Sequence, residues 1–206
     1  DCSTDTNGNP TFTYDGTAHY PKLKTISLKD GSIIDAASAT TAITYTQLTV
    51  DQATNANEGG SAVNYVATVN TPEYGTLTIN KNLVINKVDL TTNGTLTVAK
   101  GFEFNSNDTY TVSDESAATK VGLSVSTKAT LTITDDYTVD VKSAPNKVGS
   151  ENALVTVTGT GNYKGTLVQK AAINAYTLKE DDVDFKAGEL TNGETIFDGN
   201  AKTPEV

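Results

Sequence analysis

Short runs of alternating apolar and polar residues fill this chain. Val63, Tyr65, Ala67 and Val69 alternate strictly. The same period of two appears at residues 11–14, among Ile43, Tyr45, Leu48 and Val50, and where Leu77 and Ile79 lead to Leu83 and Ile85. It returns in the second half through Leu131 and Ile133, then Tyr137, Val139 and Val141, then Val155 and Val157, and finally Leu167 and Ile173. Period-two runs rich in Thr, Val, Ile and Tyr predict half-buried β-strands. No segment has a sustained helical period. The one short exception is residues 113–122, where Glu115, Ala117 and Ala118 predict a helical turn.

Turn dipeptides punctuate the runs. Asp15-Gly16, Asp30-Gly31, Asn93-Gly94, Asn192-Gly193 and Asp198-Gly199 all allow positive φ. Many short strands between such turns predict an all-β fold, a sandwich or a barrel.

The chain also repeats. Tyr14-Asp15-Gly16-Thr17-Ala18-His19-Tyr20-Pro21 returns 183 residues later as Phe197-Asp198-Gly199-Asn200-Ala201-Lys202-Thr203-Pro204. A degraded copy, Phe104-Asn105-Ser106, lies midway. Tyr74-Gly75-Thr76-Leu77 returns as Tyr163-Lys164-Gly165-Thr166-Leu167, with Gly75 and Gly165 90 residues apart. Val84-Ile85-Asn86-Lys87 returns as Ala172-Ile173-Asn174-Ala175, 88 residues on. Three markers sharing one period predict tandem units, each near the size of a seven-stranded sandwich. The expected division is residues 1–87, residues 88–175, and residues 176–206 as the opening of a third unit or a donated strand. The joins carry no Pro/Gly/Ser linker, so a stiff rod is expected.

These motifs resemble the Ig-like repeats of bacterial cell-surface and adhesin proteins. Such repeats carry an early Tyr-Asp-Gly-x-Ala-x-x-Pro segment, a middle Asp-Tyr-x-Val strand and a late Gly-x-Gly-Asn-Tyr-x-Gly-Thr segment. Residues 14–21 and 197–204 match the first, Asp136-Tyr137-Thr138-Val139 the second, and residues 159–166 the third. Residues 1–87 keep only Glu73-Tyr74-Gly75-Thr76 of the third, and residues 88–175 lack the Asp-Gly of the first. The resemblance implies tandem Ig-like β-sandwiches, an extracellular cell-surface location and a stalk-like or adhesive role. It carries no catalytic residues.

Composition narrows the classes. The 206 residues carry a net charge of −10, with Lys as the basic residue and no Arg. That balance argues against nucleic acid, whose phosphates need clustered cations. No apolar run approaches the roughly 18–20 residues of a membrane span. Cys2 is the single cysteine, so no intramolecular disulfide forms and cysteine usage does not fix the compartment. Near an end it could be lipidated or link chains, or be a free thiol on a frayed terminus. Asp1 opens a polar stretch, so any targeting segment is removed or lies outside these residues.

Candidate chemistry is sparse. His19 is the only histidine and lacks the companions of a triad or a zinc site, so a non-enzymatic chain is expected. Residues 124–126 read as a strand face, since no Gly-x-Ser-x-Gly occurs. Asp5 and Asn7, with Asp1, Asn9 and Gly8, supply oxygens that calcium would take; the alternative is a solvated acidic turn. Paired acids for glycoside hydrolysis would need a cleft that a 90-residue sandwich lacks. Gly159-Thr160-Gly161 reads as a hairpin loop, with no helix behind it to hold an anion. The nine tyrosines recur near turn ends, either packed in the core or exposed for stacking on sugars. Asn93-Gly94-Thr95 and Asn107-Asp108-Thr109 are sequons that arise easily in such a composition. No signature of a Lys–Asn or Lys–Asp isopeptide crosslink is recognisable.

The expected function is a non-enzymatic extracellular structural repeat protein, the stalk of a surface adhesin or a filament subunit. A glycan- or mucin-binding module is the alternative. Expected partners are neighbouring repeats or identical subunits, with host or environmental glycans under the alternative. One route to a filament is strand donation, in which the segment around Val183 and Phe185 of one subunit completes the first unit of the next. A fragment cut from a longer array would show the same imbalance.

Overall fold

The computed structural model describes residues 3–38, 40–60 and 62–182. Val183, Phe185, Asn192-Gly193, Phe197, Asp198 and Gly199 lie outside the described residues, as do Asp1 and Cys2.

Among the described residues the fold is β-rich, with a few short helices. The N-terminal half contains β1 (Ser3–Thr4), β2 (Pro10–Thr13), β3 (Thr25–Ser27), β4 (Ile33–Asp35), β5 (Ala42–Tyr45), α1 (Val50–Thr54), β6 (Val63–Thr71) and β7 (Gly75–Asn86). The C-terminal half contains β8 (Val88–Asp89), α2 (Leu90–Asn93), β9 (Thr95–Val98), β10 (Phe102–Glu103), α3 (Glu115–Val121), β11 (Leu123–Ser126), β12 (Tyr137–Ser143), β13 (Gly149–Gly159), β14 (Tyr163–Lys164) and β15 (Thr166–Asn174). A 3-10 turn follows at Glu180–Asp182.

The first large sheet has the order β1-β2-β7-β6-β5, and the second β10-β15-β13-β12. Both are built on one plan. A long hairpin forms the centre, β6–β7 in one and β13–β15 in the other. The strand entering the early motif lies parallel to the returning strand of that hairpin. Phe12 sits opposite Ile85 in the first sheet, and Phe102 opposite Ile173 in the second. The next backbone bond repeats too: Tyr14 N donates to Asn86 O at 2.9 Å, and Phe104 N to Asn174 O at 2.8 Å.

Outside these sheets the halves differ. In the C-terminal half β9 pairs with β11, and Leu123, Val125 and Ala118 of β11 and α3 enter the core. In the N-terminal half residues 5–8, one period before β9, are the turn between β1 and β2, and β4 pairs with the local strand β3. The cores differ accordingly. Leu48, Ala53, Tyr65, Leu83 and Ile85 form one buried cluster. The other contains fifteen residues, among them Leu90, Phe102, Tyr137, Val155, Val157 and Ile173. Tyr14 packs against both.

The helical turn expected at residues 113–122 is present as α3. Asp114 caps it by accepting from Ala117 N at 2.8 Å, and Gly122 closes it at φ 67°. Two expectations need correction. Gly94 is at φ −94°. Its smallness serves close approach instead, since a Cβ there would lie 2.7 Å from Leu90 O and 2.9 Å from Leu167 Cδ1. Leu131 and Ile133 are buried as their alternation implies, but their segment forms only isolated bridges, Ser126 with Thr130 and Ile133 with Tyr137. No helix among the described residues is long and apolar enough to cross a membrane.

Candidate functional site

The early and late motifs meet where the two halves join. The early turn closes on Asp15, whose Oδ1 accepts from Thr17 N at 2.9 Å and from Thr17 Oγ1 at 2.7 Å. Gly16 takes φ 80°. The Thr17 hydroxyl, first among these contacts, holds the Asp15 carboxyl below the usual carboxylate range. His19 reinforces the turn: its Nε2 lies 3.0 Å from Asp15 Oδ1 and its ring stacks on Phe12 at 4.3 Å. In the degraded copy Asn105 does the work of Asp15, its Oδ1 accepting from Asn107 N at 2.9 Å.

The Tyr14 and Tyr163 rings meet in a T-shaped arrangement, 5.6 Å between centroids and 79° between planes. Tyr163 belongs to the late motif, so the early motif of one half touches the late motif of the other. Burial raises the Tyr163 hydroxyl to about 12, with Asp136 and Tyr14 adding to the shift. The loop of the late motif is itself tied down. Thr160 N donates to Asp136 O at 2.8 Å, Tyr163 N to Thr160 O at 2.8 Å, and Gly161 adopts φ 54°.

Asn162 is the centre of the join. Its Oδ1 accepts from Ala56 N at 2.8 Å, and its Nδ2 donates to Asn55 Oδ1 at 3.0 Å. Its backbone oxygen accepts from Val88 N at 3.0 Å. One residue thus holds the first half's loop and the connecting strand together. That loop is firm, because Asn57 donates to Leu83 O at 2.7 Å and accepts from Ile85 N at 2.8 Å. β14 runs parallel to β8, Tyr163 opposite Val88 and Lys164 opposite Asp89.

A charged pair flanks this ladder. Lys164 Nζ lies 2.6 Å from Glu58 Oε1, and Glu58 Oε2 accepts from Lys87 N at 3.0 Å. The Lys164 ammonium, with the Lys87 N–H second, holds the Glu58 carboxyl below its ordinary value. A carboxyl lowered on folding contributes stability that is present above its unfolded pKa and lost as pH falls through the folded one. Acidification below about pH 4.5 should therefore loosen the join. Because both side chains are partly exposed, rising salt should weaken the pair at neutral pH as well. The check is to follow the relative motion of the halves by NMR relaxation in wild type and Glu58→Gln. The pH response of the join should be smaller in the variant.

The remaining candidates separate from this join. Asp5 closes its own loop: Oδ1 accepts from Asn7 N at 2.8 Å and Asn9 N at 2.9 Å, and Oδ2 from Asn9 Nδ2 at 2.9 Å. Lys81 Nζ donates to Asn7 O at 2.9 Å and pins the loop to β7. Among the described residues no group of three or more His, Cys, Asp or Glu side chains gathers as a metal site. Gly75 and Gly165 both take positive φ, at 70° and 84°. Only Gly165 is also hemmed in, by Asp89 and Thr91; around Gly75 the space is open.

Sequence reading picked out Tyr14, Asp15, Gly16 and Gly165 but missed Asn55, Glu58 and the bridging role of Asn162 and Lys164. The available signal was Asn162 itself, a polar residue fixed within the late motif, where residues 1–87 carry Glu73 instead. No protein-family model matches the chain, and no curated protein matches it in sequence.

Proposed function

We propose that the chain is a run of tandem Ig-like β-sandwiches, residues 1–87 and 88–175 with a third unit opening at 176. In this reading it acts outside the cell as a non-enzymatic spacer, the stalk of a surface adhesin or a subunit of a surface filament. The observation that carries the reading is the join. A spacer must transmit orientation from one unit to the next, and Asn162 spans 106 residues of sequence to bond Ala56 N across it. The β8–β14 ladder and the Tyr14–Tyr163 contact add rigidity without a flexible linker. The net charge of −10 would keep neighbouring stalks apart.

The test compares wild type with Asn162→Ala by small-angle scattering and residual dipolar couplings. The substitution strands the Ala56 N–H, a loss worth about 1–3 kcal/mol of coupling between the halves. Wild type is expected to scatter as a single elongated particle with one shared alignment tensor. The variant is expected to show independent tensors while both halves stay folded. Independent tensors already in wild type would overturn the spacer reading.

A further inference from the structure

Away from the join, the N-terminal half carries a trough whose chemistry the spacer role does not use. Its floor is one face of β5 and the strand beside it. The Tyr45 and Tyr65 rings lie there nearly parallel, 5.9 Å between centroids and 21° apart. The wall is the extended stretch through Tyr20, Pro21 and Lys22, which Lys24 O fastens by accepting from Ala36 N at 3.0 Å. Tyr20 stands 48% exposed at the rim. Two adjoining hollows, of about 270 Å³ and 720 Å³, share Lys22 and Tyr45 and make one elongated groove. Gln47 lines the first, and Lys24 and Asp35 the second.

Local charge runs against that of the whole. The chain carries −10, yet between Asp15 and Asp30 it has three lysines, 22, 24 and 29, and no carboxylate. Two of the three line the groove. We propose that this groove binds an acidic oligosaccharide, a chain of pyranose rings bearing carboxylates.

Pyranoses present a flat C–H face and a rim of hydroxyls. Tyrosine offers the matching flat ring and polar tip. The exposed Tyr20 ring and the Tyr45 face supply stacking surface, Gln47 and Asp35 supply hydrogen-bonding partners for hydroxyls, and Lys22 with Lys24 meet the carboxylates. An extended peptide would instead pair with a strand edge through its backbone. The tyrosine rings and lysines that line this groove are the features a chain of acidic sugars would use, and a peptide is kept as a competing ligand in the test. The proposal is independent of the spacer reading, since none of these residues touches the join.

The full chain is titrated with hexa-galacturonate, with neutral maltohexaose and with a hexa-glutamate peptide, followed by calorimetry and by tyrosine ring NMR shifts. Hexa-galacturonate is expected to bind saturably, more weakly as salt rises, and to shift the Tyr20 and Tyr45 rings. Tyr20→Ala should lower its affinity by about tenfold or more. The double change Lys22→Gln and Lys24→Gln should abolish the preference over maltohexaose. These side chains are exposed, and circular dichroism confirms that each variant keeps its fold. The proposal is overturned if hexa-galacturonate fails to saturate at millimolar concentration or if Tyr20→Ala binds it unchanged. It is equally overturned if maltohexaose or the peptide binds wild type as tightly.

Discussion

Gly165→Val should cost the C-terminal half far more stability than the matching change at Gly75 costs the N-terminal half. Both glycines sit at positive φ, where a β-branched residue costs about 1–3 kcal/mol in strain. Gly165 carries a second burden. A Cβ there would collide with Asp89 Oδ1 and come within 2.6 Å of Thr91 Oγ1. Asp89 Oδ1 is the acceptor that caps α2, taking Thr91 N at 2.9 Å, and Thr91 Oγ1 accepts from Thr166 N at 3.1 Å. Valine would displace the cap, worth about 1 kcal/mol, and wedge β14 away from β8 at an overpacking cost of about 1–3 kcal/mol. The expected loss is about 4 kcal/mol or more, against about 1–3 for Gly75→Val. Denaturant unfolding of both variants measures it, and equal losses would show that φ alone matters at these sites.

Truncating the same strand position in each half should give unequal outcomes as well. Ile85 and Ile173 are equivalent by register, and both are essentially inaccessible to solvent. Removing either to Ala costs about 2–5 kcal/mol. Ile85, however, is one of five buried side chains in its cluster, and Ile173 one of fifteen. A small core starts near the lower end of the usual 5–15 kcal/mol. Ile85→Ala is expected to leave the N-terminal half largely unfolded at room temperature while the C-terminal half still melts cooperatively. Ile173→Ala should lower the melting temperature of a half that remains folded. Hydrogen exchange resolved by residue separates the cases. Uniform loss of protection along the chain in Ile85→Ala would mean that the two clusters unfold as one.

The strands were legible because a period of two survives translation into burial. Tyr65, Ala67 and Val69 alternate in sequence and are all buried on one face of β6. Repeat markers were equally legible, because Tyr14 and Phe104 hold equivalent positions whose aromatic rings pack against the core. Helices α1 and α2 were not, since five and four residues are too short to show a helical period. In α1 the only local sign was the Thr49 to Gln52 capping box. The join was the least legible part. Glu58 is an ordinary surface residue, and Asn162 only a polar residue of the late motif, until the chain brings positions more than a hundred residues apart into contact. The tyrosine groove stayed hidden for a related reason: Tyr20, Tyr45 and Tyr65 belong to separate runs, each of which reads as a strand or turn by itself.

The Asp15 turn and its Asn105 counterpart have a bearing on how such a chain emerges from the ribosome. Two halves with one strand order in a single chain invite misassembly, in which a strand of one is captured by the nascent sheet of the other. Here the turn is closed by a charged residue in one half and a neutral one in the other. The smaller strand pair is the local hairpin β3–β4 in the first half and β9–β11, beside α3, in the second. A strand captured by the wrong sheet would thus meet a core of the wrong size. Divergence that leaves each half's hydrogen bonds intact but spoils exchange acts as proofreading by shape.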